Sequence, residues 1–391
     1  MGPIIRIGAP LCALVLAFAG VDHARGQPTF QVIPVPDGYF ILLPGAISCD
    51  GSRVALRADR STGGNRSFAW SRAGGFTDLG ELDASHRSSV PAGISADGNI
   101  VVGEAFMPGT GRGYRWSASS GMMDLGAPPP FYSDVAPQDV SPNGGVVTGY
   151  LRDVTGFLMA FRWAPSSGFQ LLGDLPGGPV SSRANAISGN GQVIVGGSQT
   201  TSSSEAFRWT AANGMQSIGN APGGGEAQAL AVNQDGSVIV GLDVVNFRFE
   251  AFKWTSTGGM VLLGNKGSGS QAGDITPDGS KTVGFMGDRA VYWDGQNTRH
   301  DFQNELAAMG LAGELEGWNL HSISHVSDDG LVFVGQGFDP DGMLQMWIAT
   351  IPEPLGSACL GAASVSVLGR RPRRARSVGR SVLPHRGARR D

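Results

Sequence analysis

One short motif, written seven times, constrains this chain more than any other feature. An apolar residue, a serine or its equivalent, a variable residue, then Asp or Asn and Gly recur at Ile47-Ser48-Cys49-Asp50-Gly51, Ile94 to Gly98, Val140 to Gly144, Ile187 to Gly191, Val232 to Gly236, Ile275 to Gly279 and Val326 to Gly330. Roughly twenty residues after each comes a tryptophan: Trp70, Trp116, Trp163, Trp209, Trp254, Trp293 and Trp347. Only Trp318 falls outside the series. The period is about 46 residues, which marks an array whose units are each one supersecondary element unable to bury its apolar face alone.

Each unit reads as four short strands. Asp-Gly or Asn-Gly between apolar stretches is a strong hairpin signal, on the expectation that both turn residues take φ > 0. Ala186-Ile187-Ser188 and Val193-Ile194-Val195-Gly196 then pair around Asn190-Gly191. A third strand, as in Ala206-Phe207-Arg208-Trp209, alternates so that Phe and Trp share a face. A fourth follows, as in Gly214 to Gly219. The fold class this predicts is all-β, a β-propeller most simply of seven four-stranded blades, with six or eight as neighbouring counts.

The ends of the array agree. The seventh unit stops after Trp347-Ile348-Ala349-Thr350 with no fourth strand, and Thr29 to Pro34 supplies a spare one. The N-terminal strand is therefore expected to complete the last blade, closing the ring and protecting its edges. One segment breaks the period. Asp301 to Met309 has apolar residues at helical spacing (Phe302, Leu306, Met309) behind a capping Asp301, with Gly310 and Gly313 to end it. A helical insertion near 300–313, lidding one face of the ring, is the expectation.

Composition narrows the partners. Gly contributes 61 residues without a three-residue period, which fits many tight turns rather than collagen. Nine arginines crowd between Arg370 and Arg390, and with the leader's Arg6 and Arg25 they mask a body roughly 13 charges negative. Such a body disfavours nucleic acid as a partner. Cys12 and Cys359 lie near the ends, so Cys49 stands alone in the body, and no disulfide framework or cysteine metal cluster follows.

Both ends read as addresses. Residues 1–26 carry Arg6, an apolar run from Leu11 to Ala19 and the small-x-small sequence Ala17-Phe18-Ala19, the layout of a signal peptide cleaved after Ala19 or nearer Gln27. At the other end Pro352-Glu353-Pro354 precedes a small and apolar stretch, Leu355 to Gly369, and then Arg370-Arg371-Pro372-Arg373-Arg374. Arginines after an apolar stretch hold that end in the cytoplasm. The tripartite order over 352–376 resembles the PEP-CTERM sorting signal, with 377–391 a basic disordered tail. The resemblance implies transient retention in the inner membrane, an exosortase-type enzyme as a passing partner, cleavage near Pro352, Glu353 and Pro354, and release to the cell surface or matrix.

The body, residues 27–351, carries a second resemblance. Met159-Ala160-Phe161, Glu205-Ala206-Phe207 and Glu250-Ala251-Phe252, each followed by Arg or Lys and Trp, are similar to the HAF repeat of bacterial extracellular proteins, with Glu or Met in place of the repeat's His. The insertion that ends in Gly317-Trp318 looks typical of the same group, for which no function is defined.

Recognisable chemistry is sparse. No phosphate loop, nucleophile elbow, His-Glu-x-x-His or dinucleotide fingerprint occurs. The repeated Asp/Asn-Gly positions invite comparison with a calcium ladder, but their turn role accounts for them. Asp339-Pro340-Asp341-Gly342 lacks the other ligands of a calcium loop and reads as an exposed turn. His300, His321 and His325 fall in the irregular segment, the last two spaced to share a strand face; without an acidic ligand at a matching spacing they read as surface or capping residues. The third-strand cations Arg115, Arg162, Arg208 and Lys253 are expected in solvent, or, if they line a mouth of the ring, against an anionic glycan. No catalytic, cofactor or metal residue is assigned. The expectation is a secreted or cell-surface protein of the envelope or matrix, non-enzymatic, binding polysaccharide or a surface protein. A secreted carbohydrate-active enzyme, glycosidase or lyase, is the alternative, and would need carboxylates converging at one mouth. A structural scaffold without a ligand is a third reading.

Overall fold

A computed structural model describes residues 26–107, 109–264 and 269–352. The leader before residue 26 and the chain from Glu353 onward, including Glu353 and Pro354 of the sorting motif, lie outside the described residues. The body is a β-propeller of seven four-stranded antiparallel sheets. Six blades span 39–78, 88–124, 132–171, 182–219, 228–262 and 270–301 in chain order, and the inner strands of successive blades touch around a central channel. The last blade joins Asn319–Val326, Val332–Phe338 and Leu344–Thr350 to the N-terminal strand Thr29–Val32. Thr29 lies opposite Thr350 and Val32 opposite Trp347, so the expected ring closure is what the chain does.

The tryptophans explain why the blades stand side by side. Each apolar cluster draws on two neighbouring sheets. Ala160 and Leu172 of the third blade meet Ile187, Phe207 and Trp209 of the fourth; Ile33, Val334 and Ile348 of the last meet Leu56 and Trp70 of the first. Six repeat tryptophans are buried and Trp254 is half-buried. Two indoles reach back to the preceding blade, Trp163 Nε1 donating to the Leu125 carbonyl at 2.9 Å and Trp293 Nε1 to that of Leu263 at 3.0 Å. Burial of one such side chain contributes about 1.5–3 kcal/mol, so neighbouring blades hold each other in place.

The repeated turn differs from the expectation. The glycine alone takes φ > 0 (Gly51 69°, Gly98 68°, Gly330 69°), while the Asp or Asn before it stays in the ordinary region. The loop is longer than a two-residue hairpin: Ser48 N–H donates to the Arg53 carbonyl at 2.9 Å. Ser48 Oγ donates to Asp50 at 2.7 Å and accepts from Arg53 N–H at 3.0 Å, and Asp50 also accepts from Ser52 N–H at 2.9 Å. Serine and aspartate are thus chosen for these bonds, as an Asx-type loop requires, and only glycine for its conformation. The variable residues of the motif then link turn to turn. Cys49 N–H donates to Ala96 O, Ala96 N–H to Pro142 O, Gln234 N–H to Pro277 O, and Asp328 N–H, across the seam, to Cys49 O. Proline at 142 and 277 removes the donor at those two links.

A second glycine shapes the channel. In six blades the second strand carries a glycine opposite the inner strand, where an added Cβ would lie 1.8–2.2 Å from an inner-strand carbonyl, as at Gly149 against Ala136 O and Gly241 against Gln228 O. The inner strand bulges immediately after this pair in every such blade, for example between Pro137 and Asp139 and between Ala272 and Asp274. A bulge re-aims side chains, here towards the channel.

The insertion forms a short α-helix, Phe302–Leu306, capped by Asp301 Oδ1 accepting from Asn304 N–H at 3.1 Å, and continues as a π-helical turn, Ala307–Leu311, broken where Gly310 takes φ 106°. It does not lid the ring. Phe302, Leu306, Leu311 and Leu315 are buried with Phe333 and Trp347 in the apolar cluster of the last blade, so burial of the helix's apolar stripe draws it away from either mouth. Among the described residues no helix is long and apolar enough to cross a membrane.

Candidate functional site: the central channel

The propeller has two unlike ends. At the turn end lie the seven Ser-x-Asp-Gly loops and both described chain ends, since Thr29 pairs with Thr350 and Thr350 with Val332, just beyond the last such loop. At the hairpin end lie the tips joining second to third strands.

Two cavities divide the channel. The one at the turn end, about 220 Å³, is bounded by the variable motif residues, among them Cys49, Pro142, Gln234 and Asp328. The one at the hairpin end, about 500 Å³, is lined by Arg183, Gln228, Gln271, Phe285 and Ser322, among others. Gln138, Asn185, Leu230, Gly273 and His325 line both cavities and therefore form the waist. These are bulge residues, unpaired in the ladder or directly beside the unpaired position, so the bulges of the inner strands build the waist.

Besides Asp328, two carboxylates of the inner strands face the turn-end cavity. Asp139 accepts from Val140 N–H at 2.7 Å and from Ile187 N–H of the next blade at 2.9 Å. Asp274 accepts from Ile275 N–H at 2.8 Å and from Val326 N–H of the last blade at 3.1 Å, with His325 Nδ1 3.5 Å away. Each aspartate ties two inner strands together. Burial pushes Asp139 up to about 7, against the opposing pull of its two amide bonds, and the Asp274 charge adds to the rise. Cys49 lies on the same wall, its thiol pushed up to about 12 by burial and by the neighbouring Asp328 carboxylate. It is no activated nucleophile.

The residues singled out in the sequence are dispersed. His321 does not share a face with His325, because the inner strand shifts register between Leu320 and Ser322 and again between Ile323 and His325. His321 stacks on Phe285 at 6.1 Å, while His325 looks across to Asp274. His300 is elsewhere, stacked on Tyr292 at 4.5 Å, between Glu305 (3.1 Å) and Asp294 (3.2 Å). The third-strand cations are not loose in solvent. Arg115, Arg208 and Lys253 donate to the carbonyls of Gly144, Gly236 and Gly279, the turn glycines of the next blade, and Arg162 has the same register place as Arg208. Arg115, Arg208 and Lys253 thus fasten blades together rather than line a mouth. Asp339 stabilises its own hairpin tip, accepting from Asp341 N–H at 3.1 Å and Met343 N–H at 2.8 Å. Among the described residues no group of three or more His, Cys, Asp or Glu is placed to hold a metal ion.

The channel residues escaped the sequence reading, although a signal existed. Two places before each motif's serine position stand Ala46, Gly93, Asp139, Ala186, Ala231, Asp274 and His325. The column is small in four units and polar in three, and those three, Asp139, Asp274 and His325, all line the channel.

No protein-family model matches the chain, and no curated protein matches it. Solved structures do. An oligogalacturonate lyase in complex with manganese superposes with a TM-score of 0.53 at 10% identity, covering 83% of this chain and 91% of that one. The β-propeller domain of the Trilobed protease from Pyrococcus furiosus gives 0.54 at 10%, over 80% and 93%. That domain is described as having an open velcro topology, whereas here the strand Thr29–Val32 closes the last blade. TolB from Acinetobacter baumannii gives 0.42 at 15%, and this chain spans only 54% of its length. At such identities the likeness is one of fold. The chain is a propeller, a scaffold on which function has to be argued from the site.

Proposed function

We propose that this chain is a secreted or cell-surface HAF-repeat protein of the envelope or extracellular matrix that binds polysaccharide without acting on it. The leader directs export, and the segment from Pro352 onward serves as a PEP-CTERM-type signal for an exosortase-type enzyme. The membrane then holds only the precursor. The observation that supports a binding role is the hairpin-end cavity, an open basin of about 500 Å³ lined by amides, hydroxyls, one arginine and one phenyl face. Amides and hydroxyls match the donors and acceptors of sugar hydroxyls without demanding a charge. Such concave sites with a few convergent polar groups are where propellers and barrels commonly bind ligands.

Two measurements test the reading. Expressed in a Gram-negative host with and without an exosortase, the full chain is expected to lose its residues after the Pro-Glu-Pro motif only when the enzyme is present, as read by intact mass. Retention of the arginine-rich end in the exported protein removes the sorting reading. The purified protein on a glycan array is expected to bind at least one polysaccharide without shortening it.

One observation favours a second reading, a carbohydrate-active enzyme. Burial raises Asp139 to about 7, and it shares a cavity with Asp274; a carboxyl held near neutrality beside a second one is what acid–base chemistry uses. Release of reducing ends from a bound glycan, abolished in Asp139→Asn, decides for it.

A further inference from the structure

A radial groove runs into the central basin. A cavity of about 140 Å³ at the junction of the third and fourth blades is bounded by Leu158, Ser182, Ser198, Gln199 and Ser204, and it shares Arg183 and Gln228 with the hairpin-end cavity. The two spaces therefore adjoin across Arg183 and Gln228. Arg183 stands at the junction. Its guanidinium lies 4.7 Å over the Tyr150 ring and donates to Gln138 Oε1 at 2.9 Å, while its buried Nε–H has no acceptor. Arg152 lies on the same ring, 6.0 Å from its centre, with one long contact of 3.4 Å to Asp134. The nearby carboxyl that interacts with both arginines is Glu104. Burial raises it to about 6 against the pull of both arginines, and the Asp134 charge adds to the rise.

The third blade, beside Leu158 of this cavity, carries exposed phenyl rings. Phe131, 89% exposed, takes φ 82°, and Phe157, 49% exposed, closes the adjacent hairpin tip with its carbonyl accepting from Asp153 N–H. A bulky side chain at φ > 0 costs on the order of 1 kcal/mol, and here nothing is gained by burial. The ring is therefore available to a ligand at this tip.

Resting on the polysaccharide-binding reading above, we propose that this groove binds an extended acidic polysaccharide, with Arg183 and Arg152 taking a sugar carboxylate, Gln138 and Gln228 taking hydroxyls, and Phe131 and Phe157 stacking on sugar rings. Guanidinium donors outnumber their acceptors at the junction, which favours a planar carboxylate over a neutral hydroxyl. A peptide is the weaker fit. The groove has no series of apolar pockets for alternating side chains, the feature by which extended peptides are usually read.

The test uses the purified full chain and affinity electrophoresis or calorimetry, with alginate as the acidic probe, dextran as the neutral one and poly-L-glutamate as a peptide of like charge. Alginate is expected to bind, more weakly as NaCl is raised. Arg183→Gln and Arg152→Gln are each expected to lower affinity about tenfold or more, and Phe157→Ala several-fold. Arg289→Gln, the same charge removed from the tip of the sixth blade, is expected to change nothing. Arg152 is a half-exposed side chain, so its variant still reports if Arg183→Gln folds poorly. No alginate binding, binding unchanged in both arginine variants, or equal binding of poly-L-glutamate overturns the proposal. Dextran binding with alginate ignored overturns it too, yet leaves the polysaccharide reading standing.

Discussion

Closure of the ring can be measured through Ile33. It follows the N-terminal strand, donates its N–H to the Met346 carbonyl at 2.9 Å, and is fully buried among Leu42, Leu56, Trp70, Val334 and Ile348. These neighbours belong to the first and last blades, so the side chain pins the two ends of the array to each other. Truncation to alanine removes buried methylenes and leaves a cavity in a packed interface, a loss of about 2–4 kcal/mol. Unfolding a body of about 325 residues carries an entropy near 0.7 kcal/mol/K, so the expected fall in Tm is roughly 3–6 °C. Deleting residues 26–34 should do at least as much, because it also removes Phe30, which packs 5.1 Å from Trp318 and 6.2 Å from Trp347. Deleting 353–391 should leave Tm unchanged. Calorimetry on the three variants decides. A shift below 1 °C for Ile33→Ala, or equal shifts for the two deletions, would show that the seam carries no load and that the array is stable as an open arc.

Three further outcomes are expected. Gly149→Ala should destabilise by about 3 kcal/mol or more in denaturant titration, because its Cβ would lie 2.2 Å from the Ala136 carbonyl; Gly121→Ala, at φ 67° with open space around it, should cost only about 1 kcal/mol from backbone strain. Asp139 holds its proton more tightly folded than unfolded, so wild-type stability should decline as pH rises from about 4 to about 7 and then level off. Asp139→Asn should flatten that segment, seen as Tm against pH, and an unchanged slope would mean the carboxyl is ionised throughout. The turn aspartates act with the opposite sign. Hydrogen bonds from Ser95 and from the Asn99 amide hold Asp97 below its ordinary range, so its contribution is present above about pH 4 and is lost in stronger acid; Asp97→Ala should lower Tm at neutral pH and make its fall in acid shallower, while Ser95→Ala should weaken the same turn at neutral pH.

The architecture was legible because its cause is repetitive. Any one Ile-Ser-x-Asp-Gly is weak, but seven at a fixed period, each trailed by a tryptophan, leave little besides a ring, and a missing strand at one end with a spare at the other fixes how it shuts. What misled was local geometry inferred from dipeptides. Asp50-Gly51 reads as a two-residue turn, yet Ser48 and Asp50 bond to each other and to the backbone, and the loop widens to suit. His321 and His325 read as a pair, yet two register shifts turn them apart. The channel was hidden for a related reason. Asp139 and Asp274 belong to it because the inner strand bulges just before them, opposite a glycine of the neighbouring strand, and that glycine looks in the sequence like one more member of an apolar run.

Because Thr29 and Thr350 are ladder partners, the two ends of the body meet at one corner of one blade. A short peptide could join them and the chain be cut in another connecting loop, as between residues 78 and 88, without moving any strand. The order of blades along the gene is in this sense arbitrary. A stretch of coding sequence shifted by any whole number of units would encode the same wheel, so such proteins can drift by tandem duplication and loss while keeping a seam that still fits.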